Sequence, residues 1–159
     1  MKYVVIVIFS GAILVFAKTY MKRYDRQVAL CRAFSDFLNF AYAEVHYSSA
    51  TVLDIVHRFR QQRPSLPQFL SVEAEPVGQE VQNIVQKENC LTAEEKALIC
   101  DFFHTFGAQD EEGSLLMISH YQSLFEPVYL KAKIDCSEKK KLVLRLCALA
   151  AAGVTVMLL

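Results

Sequence analysis

The stretch that decides the fold is KKKLVLRLCALAAAGVTVMLL, residues 139–159. It begins with a basic collar of Lys139, Lys140 and Lys141, and the eighteen residues that follow carry a single charge, Arg145. An α-helix of that length spans roughly 27 Å, close to the roughly 30 Å hydrocarbon core of a bilayer. Residues 142–159 are therefore predicted to form a C-terminal transmembrane helix, with the long Arg145 side chain returning its charge to the headgroups. A buried helix of a soluble protein, the alternative, would show a polar face over this length.

The start of the chain has a similar pattern. Residues 3–17 are apolar apart from Ser10 and Gly11, and four basic residues follow them: Lys18, Lys22, Arg23 and Arg26. Residues 1–21 are therefore predicted to form an N-terminal transmembrane helix. A secretory signal peptide cleaved after Ala17 is the alternative, but positive charge directly after the apolar segment opposes export.

Basic residues gather on the inner side of both apolar ends. Residues 18–32 hold five bases and one acid, and residues 131–145 hold six bases and two acids. Because positive charge is retained on the cytoplasmic side, both termini are predicted to lie outside and residues 22–141 to form a cytoplasmic domain. The expected membrane interface consists of Lys18, Lys22, Arg23, Arg26, Lys139, Lys140, Lys141 and Arg145.

The net charge of zero hides a division between these flanks and the middle of the chain. Residues 33–130 contain fourteen acids and five bases, a net charge of about minus nine. Anionic headgroups attract the basic flanks and repel the acidic middle. A nucleic-acid partner is therefore disfavoured, and a basic protein partner fits better.

The middle of the chain has the periodicity of helices. Residues 26–47 place apolar side chains three and four positions apart, and Ser49 or Thr51 can cap a second helix. Thr92 and Glu95 form a capping box, after which Gly107 can end that helix and Asp110 can cap the next. Shorter helices are expected around residues 67–72 and 81–85, and Pro127 is expected to kink the last one. The sequence thus predicts an all-α bundle of about five to six helices between two transmembrane helices.

Few residues suggest chemistry. The five glycines are isolated and form no phosphate-binding loop, and the five cysteines show no CxxC spacing, which indicates reduced thiols and no cofactor. The pairs Asp54/His57 and Asp101/His104 have a spacing found in di-metal bundles, with Glu44 and Glu112 as the nearest further carboxylates. Such pairs more often lie on a hydrated face, so no metal site and no enzyme activity are expected.

One acidic corner is a candidate for partner binding. It comprises Gly107, Asp110, Glu111 and Glu112. Acidic residues at this point also favour a helix start through the helix dipole. Both interpretations remain open from the sequence.

The whole chain resembles the stage III sporulation protein AB family, whose soluble part is similar to the cytoplasmic domains of type II secretion F and pilus platform proteins. Residues 26–47, with Leu30, Phe34 and Phe37 leading to Glu44 and Tyr47, and residues 106–110 carry the resemblance. The sequence departs from the family at residues 48–51, where a glycine and Thr-Pro are usual, at Ser114, where a glutamine is common, and at Pro127.

The resemblance implies a membrane platform in a channel-like sporulation apparatus of the outer forespore membrane, with its domain in the mother-cell cytoplasm. It also implies a cytoplasmic ATPase partner, stage III sporulation protein AA, and contacts with other membrane components. The alternatives are a metal-dependent bundle enzyme that uses the Asp-x-x-His pairs and a pore-forming or membrane-remodelling protein with an apolar tail.

Overall fold

The computed structural model describes residues 2–48, 51–63, 67–70, 77–106 and 111–156, with side chains at all of these except 2–10, 12–14, 16, 151–152 and 154–156. Five α-helices occupy these ranges: α1 (Lys2–Ser48), α2 (Val52–Gln62), α3 (Val77–Lys87), α4 (Ala93–Thr105) and α5 (Glu111–Val156). A 3-10 turn, Gln68–Leu70, precedes α3. The described residues contain no strand, so the all-α prediction is confirmed.

Helices α1 and α5 pack against each other as a long antiparallel pair. We call this pair the α1–α5 hairpin, although α2, α3 and α4 lie between the two helices in sequence. The amide of Gln122 donates to Asn39 Oδ1 at 2.9 Å, and nearer the chain termini Cys136 Sγ lies 3.7 Å from Asp25 Oδ1. A 47-residue helix such as α1 is roughly 70 Å long, which is far beyond the diameter of a small domain. The antiparallel register therefore places the start of α1 and the end of α5 at the same end of the hairpin.

The predicted domain boundaries at residues 21/22 and 141/142 do not coincide with helix ends. The helix does not break between residues 21 and 22 or between residues 141 and 142, because the helical pattern continues through both junctions. Each terminal segment is instead the end of a helix that also builds the domain. Pro127 lies inside α5, and the helix continues past it.

The predicted membrane spans do not gain support from the structure. Among the residues it describes, no helix is long and apolar enough to cross a membrane. Most of the side chains on which the prediction depends, in residues 1–16 and 151–159, lie outside the described set.

Aromatic rings fill the centre of the domain where four helices meet. The Phe34 ring on α1 lies 5.6 Å from Phe102 on α4 and 4.8 Å from Phe125 on α5, measured between centroids. Phe37 is stacked on Phe103 at 5.4 Å and meets Phe59 of α2 edge-on at the same distance. Edge-to-face contacts of this kind add to the free energy of burial.

Helix α2 is attached to α1 by its cap and by two ion pairs. Thr51 caps it by accepting from the backbone N–H of Asp54, as predicted, whereas Ser49 lies outside the described residues. Arg58 pairs with Glu44 at 2.6 Å, and Arg63 pairs with Asp36. Both pairs are partly exposed, so they set the position of α2 more than they stabilise it.

Helices α3 and α4 form a second, shorter hairpin. The Thr92/Glu95 capping box is confirmed: Thr92 Oγ1 accepts from the N–H of Glu95, and Glu95 Oε2 accepts from the N–H of Thr92 at 2.7 Å. Gly78 brings α3 against α4, since a Cβ there would lie 3.0 Å from the Phe103 carbonyl oxygen. The helix predicted around residues 67–72 is represented by the 3-10 turn alone, with residues 71–76 outside the described set.

Candidate functional site

One end of the α1–α5 hairpin is strongly basic. Lys139 Nζ lies 4.3 Å above the centroid of the Tyr24 ring, and Lys140 forms an ion pair with Asp25. In this antiparallel register, Lys18 of α1 lies at the same height along the helix pair as Arg145 of α5, and Lys22 lies at the same height as Lys141. The structure thus brings the eight predicted interface residues, which lie far apart in sequence, into one basic belt: Lys18, Lys22, Arg23, Arg26, Lys139, Lys140, Lys141 and Arg145.

Part of the basic belt is already engaged by the protein. Arg23 Nη2 donates to the Asn89 carbonyl oxygen at 2.9 Å, and Arg26 forms an ion pair with Glu88 at 2.8 Å, so the corner between α3 and α4 is held beside the belt. Hydrogen bonding to Tyr24 raises the pKa of Lys139, and hydrogen bonding to Asp25 raises the pKa of Lys140. Both ammonium groups therefore remain charged well above neutral pH.

The rest of the basic belt faces solvent. Lys18, Lys22, Lys141 and Arg145 are exposed. These four side chains make no hydrogen bond or ion pair with the described part of the chain. They are available to an anionic surface.

A shallow groove of about 380 Å³ opens next to the belt. Its floor is Ala29, Leu30 and Ala33 of α1, and Pro67 and Gln68 form one wall. The Arg26–Glu88 ion pair closes the end nearest the belt. The groove is open to solvent, and the two charged groups in its lining, Arg26 and Glu88, are paired with each other.

The opposite end of the hairpin holds the predicted acidic corner. Glu111 and Glu112 are exposed in the first turn of α5, where the helix dipole favours them. Gly107 and Asp110 lie outside the described residues, so the predicted helix stop and cap at these positions stay predictions.

An exposed aromatic group at this end was missed by the sequence analysis. The His46 ring lies 4.8 Å from Tyr47 and 6.5 Å from Tyr42, measured between centroids. All three side chains are exposed, Tyr47 to 84% and Tyr42 to 41%. The signal was available, because Tyr42 and His46 are four residues apart and therefore share a helix face. We call this group the aromatic edge.

The two Asp-x-x-His pairs do not converge. Asp54 and His57 are exposed on α2, and Asp101 and His104 are exposed on α4. The Thr51 hydroxyl donates to Asp54 Oδ2 at 2.6 Å and lowers the pKa of that carboxyl group. Glu44, a proposed further ligand, is held by Arg58. In the described ranges no three potential ligands come together as a metal site would require.

The cysteines carry no disulfide; all five are free thiols, as predicted. Burial raises the pKa of Cys31, with a further contribution from the neighbouring Glu95 carboxylate. Burial raises the pKa of Cys100 and Cys136 as well. These three thiols are therefore poor nucleophiles.

The overall arrangement, an all-helical domain on a hairpin with a basic belt at the chain termini, agrees with the resemblance noted in the sequence. The family described as stage III sporulation protein AB matches residues 2–159. The chain belongs to this family. No curated protein and no solved structure matches the chain. Membership in the stage III sporulation protein AB family indicates a role in sporulation.

Proposed function

We propose that this protein is a non-enzymatic membrane platform of a sporulation apparatus and that its helical domain docks a cytoplasmic ATPase. The observation that carries the proposal is the register of α1 and α5. It brings two basic segments from opposite ends of the sequence to one level, and the apolar parts of α1 before Lys18 and of α5 after Arg145 extend beyond that level.

A membrane explains this distribution of charge. Four belt cations make no hydrogen bond or ion pair with described protein groups, and each cation near an anionic leaflet contributes roughly 1 kcal/mol of attraction. The apolar ends would enter the bilayer side by side, and the acidic domain would project into the cytoplasm. By the family resemblance, the membrane would be the outer forespore membrane on its mother-cell side.

The membrane part of the proposal is tested by topology mapping. Reporter fusions at residue 1, at Leu159 and in a loop near Gly78 are expected to place both ends outside and Gly78 inside. Extraction of the untagged protein at alkaline pH should leave it in the membrane pellet. Release into the supernatant, or one compartment for all three reporters, would refute the two spans.

The docking part rests on the acidic corner. Glu111 and Glu112 lie at the end of the hairpin remote from the basic belt, where a cytoplasmic protein can reach them. Stage III sporulation protein AA, the ATPase implied by the family, is the partner to test. Its contact surface is expected to be basic, because residues 33–130 carry a net charge of about minus nine.

Charge reversal tests this contact. The double substitution Glu111→Lys and Glu112→Lys in the full chain is expected to abolish co-purification of the ATPase from detergent extracts. Glu126→Lys is the matched control, since Glu126 is an exposed acid on the same helix and lies roughly 20 Å further along it. If the wild-type chain does not retain the ATPase, the docking function is refuted; if the double variant retains it, the corner is not the contact.

A further inference from the structure

We propose that the aromatic edge, Tyr42, His46 and Tyr47, is the anchor of the docking surface and that it receives arginine or lysine side chains of the partner. This inference rests on the proposed function and deepens it by naming the residues that provide the affinity. Tyrosine is enriched at protein interfaces and among the residues that dominate binding energy.

The three rings are unusual in this domain. Phe34, Phe37 and Phe102 are buried, whereas Tyr47 is among the most exposed large side chains that the structure describes. These three exposed rings are not part of the core: Tyr47 meets His46 edge-on, and Tyr42 lies parallel to His46 at a longer distance. An exposed cluster of rings in a charged protein is typical of an interaction surface.

The aromatic edge lies on a helix whose backbone is held by the core. Its residues lie in the last turns of α1, where the neighbouring Ala41 and Val45 are buried. Because the helix fixes the backbone of these three residues, binding restricts mainly the rotation of their side chains, which limits the loss of conformational entropy.

The charges near the edge select the kind of partner. The Asn39–Gln122 hydrogen bond and the Phe34–Phe125 contact set the register of the hairpin, which places the end of α1 level with the start of α5. That start carries Glu111 and Glu112. Glu44, the acid closest in sequence to the edge, is already neutralised by Arg58.

A cationic partner fits this combination of rings and carboxylates. The face of a tyrosine ring attracts a guanidinium or ammonium group, and a carboxylate at the rim adds to that attraction. Two other occupants fit less well. A lipid surface is remote, because Tyr47 lies roughly 35 Å along α1 from the Tyr24 level of the belt. A second copy paired about a two-fold axis here would bring like-charged glutamates together.

The test measures the affinity of the full chain, in detergent, for the purified ATPase. Tyr47→Ala is expected to raise Kd roughly tenfold or more, and Tyr42→Ala to raise it less, in keeping with its lower exposure. Tyr47→Phe keeps the ring and is expected to bind as the wild type does. Ile134→Ala, which removes an exposed apolar side chain elsewhere on the hairpin, is the matched control and should also leave Kd unchanged.

The outcomes separate the two proposals. If Tyr47→Ala and Tyr42→Ala bind normally while the Glu111/Glu112 reversal abolishes binding, the docking function stands and the aromatic anchor is overturned. If Tyr47→Ala instead converts a dimer into a monomer in analytical ultracentrifugation, the occupant is a second copy and the cationic partner is overturned.

A second probe covers the case in which the ATPase does not bind the wild-type chain. An oligo-arginine peptide is expected to shift the NMR resonances of the His46 and Tyr47 rings, and an oligo-glutamate peptide of the same length is expected to leave them unchanged. Absence of a shift with oligo-arginine would overturn the cation preference of the edge, whatever the result with the ATPase.

Discussion

The two halves of the α1–α5 hairpin are held together by different forces. In the distal half, residues 30–48 of α1 face residues 111–132 of α5, and the rings of Phe34, Phe37 and Phe125 are completely or almost completely buried. In the basic half, residues 17–29 face residues 133–150, and the contacts between the helices include Lys139 over the Tyr24 ring, the Asp25–Lys140 pair and the Asp25–Cys136 contact.

The difference indicates where the free energy of folding arises. Burial of large apolar side chains stabilises a fold far more than exposed ion pairs do. The distal half is therefore the folded core of the protein. The basic half extends from that core, and its exposed polar contacts between α1 and α5 contribute little to the free energy of folding.

The largest effect is expected for Phe34→Ala, because Phe34 meets three other rings at the centre of the distal half. The loss should be about 3–5 kcal/mol in the free energy of unfolding, measured by denaturant titration of the full chain in detergent with circular dichroism. Phe40→Ala is the control, since Phe40 is only partly buried and should lose clearly less. Equal losses would contradict a core centred on Phe34.

The next effect concerns the polar contact that joins the basic half to α4. Glu95 is 2% exposed and accepts from Gln27 Nε2 at 2.8 Å as well as from the N–H of Thr92. Glu95→Ala leaves both donors without their acceptor and should reduce the free energy of unfolding by about 2–3 kcal/mol. Glu94→Ala, on the exposed side of the same helix turn, should change it by less than about 1 kcal/mol. Similar values for the two variants would show that Glu95 does not join these elements.

A smaller loss is expected at the contact between α3 and α4. In Gly78→Ala the new Cβ would lie 3.0 Å from the Phe103 carbonyl oxygen and 3.2 Å from His104 Nδ1, so the helices must move apart. The loss should be about 1–3 kcal/mol in thermal or denaturant unfolding. Gln79→Ala, at the exposed neighbouring position, should be close to neutral, and a neutral Gly78→Ala would mean that the helices separate without penalty.

The smallest effect is expected in the basic half. Asp25→Ala removes the partner of Lys140 in a pair whose side chains are both about half exposed, and it should change the free energy of unfolding by less than about 1 kcal/mol. A double-mutant cycle with Lys140→Ala would measure the coupling energy directly. A coupling energy above about 2 kcal/mol would contradict the difference between the two halves, because this ion pair would then contribute as much to the free energy of unfolding as a buried contact does.

Local sequence signals predicted the elements of the fold reliably. Thr51 and the Thr92/Glu95 box cap the helices for which they were predicted, because a cap depends on groups three residues apart and needs no tertiary context. Phe102 of α4 and its C-cap residue Phe106 are buried. Ile99 and Phe103 were not singled out, because α4 is packed on two sides and its apolar face is wider than one stripe.

The candidate sites were predicted less completely. The eight belt residues were found because charge can be counted along a chain, and Glu111 and Glu112 were found in the same way. The aromatic edge was missed because only solvent exposure distinguishes its rings from the aromatic side chains of the core. Tyr42 and Tyr47 have the same residue type as the partly buried Tyr24, and only packing separates them.

By itself, the sequence determined the all-α class, the helix caps, the apolar ends and the division of charge, since each of these follows from the identity of neighbouring residues. Only the tertiary structure decided that the terminal segments and the domain share two continuous helices. It alone set the register that gathers the basic belt at one end and leaves the aromatic edge exposed at the other. That register is chosen by the fit of rings such as Phe34 and Phe125 across helices ninety residues apart, and such a fit cannot be deduced from either helix alone.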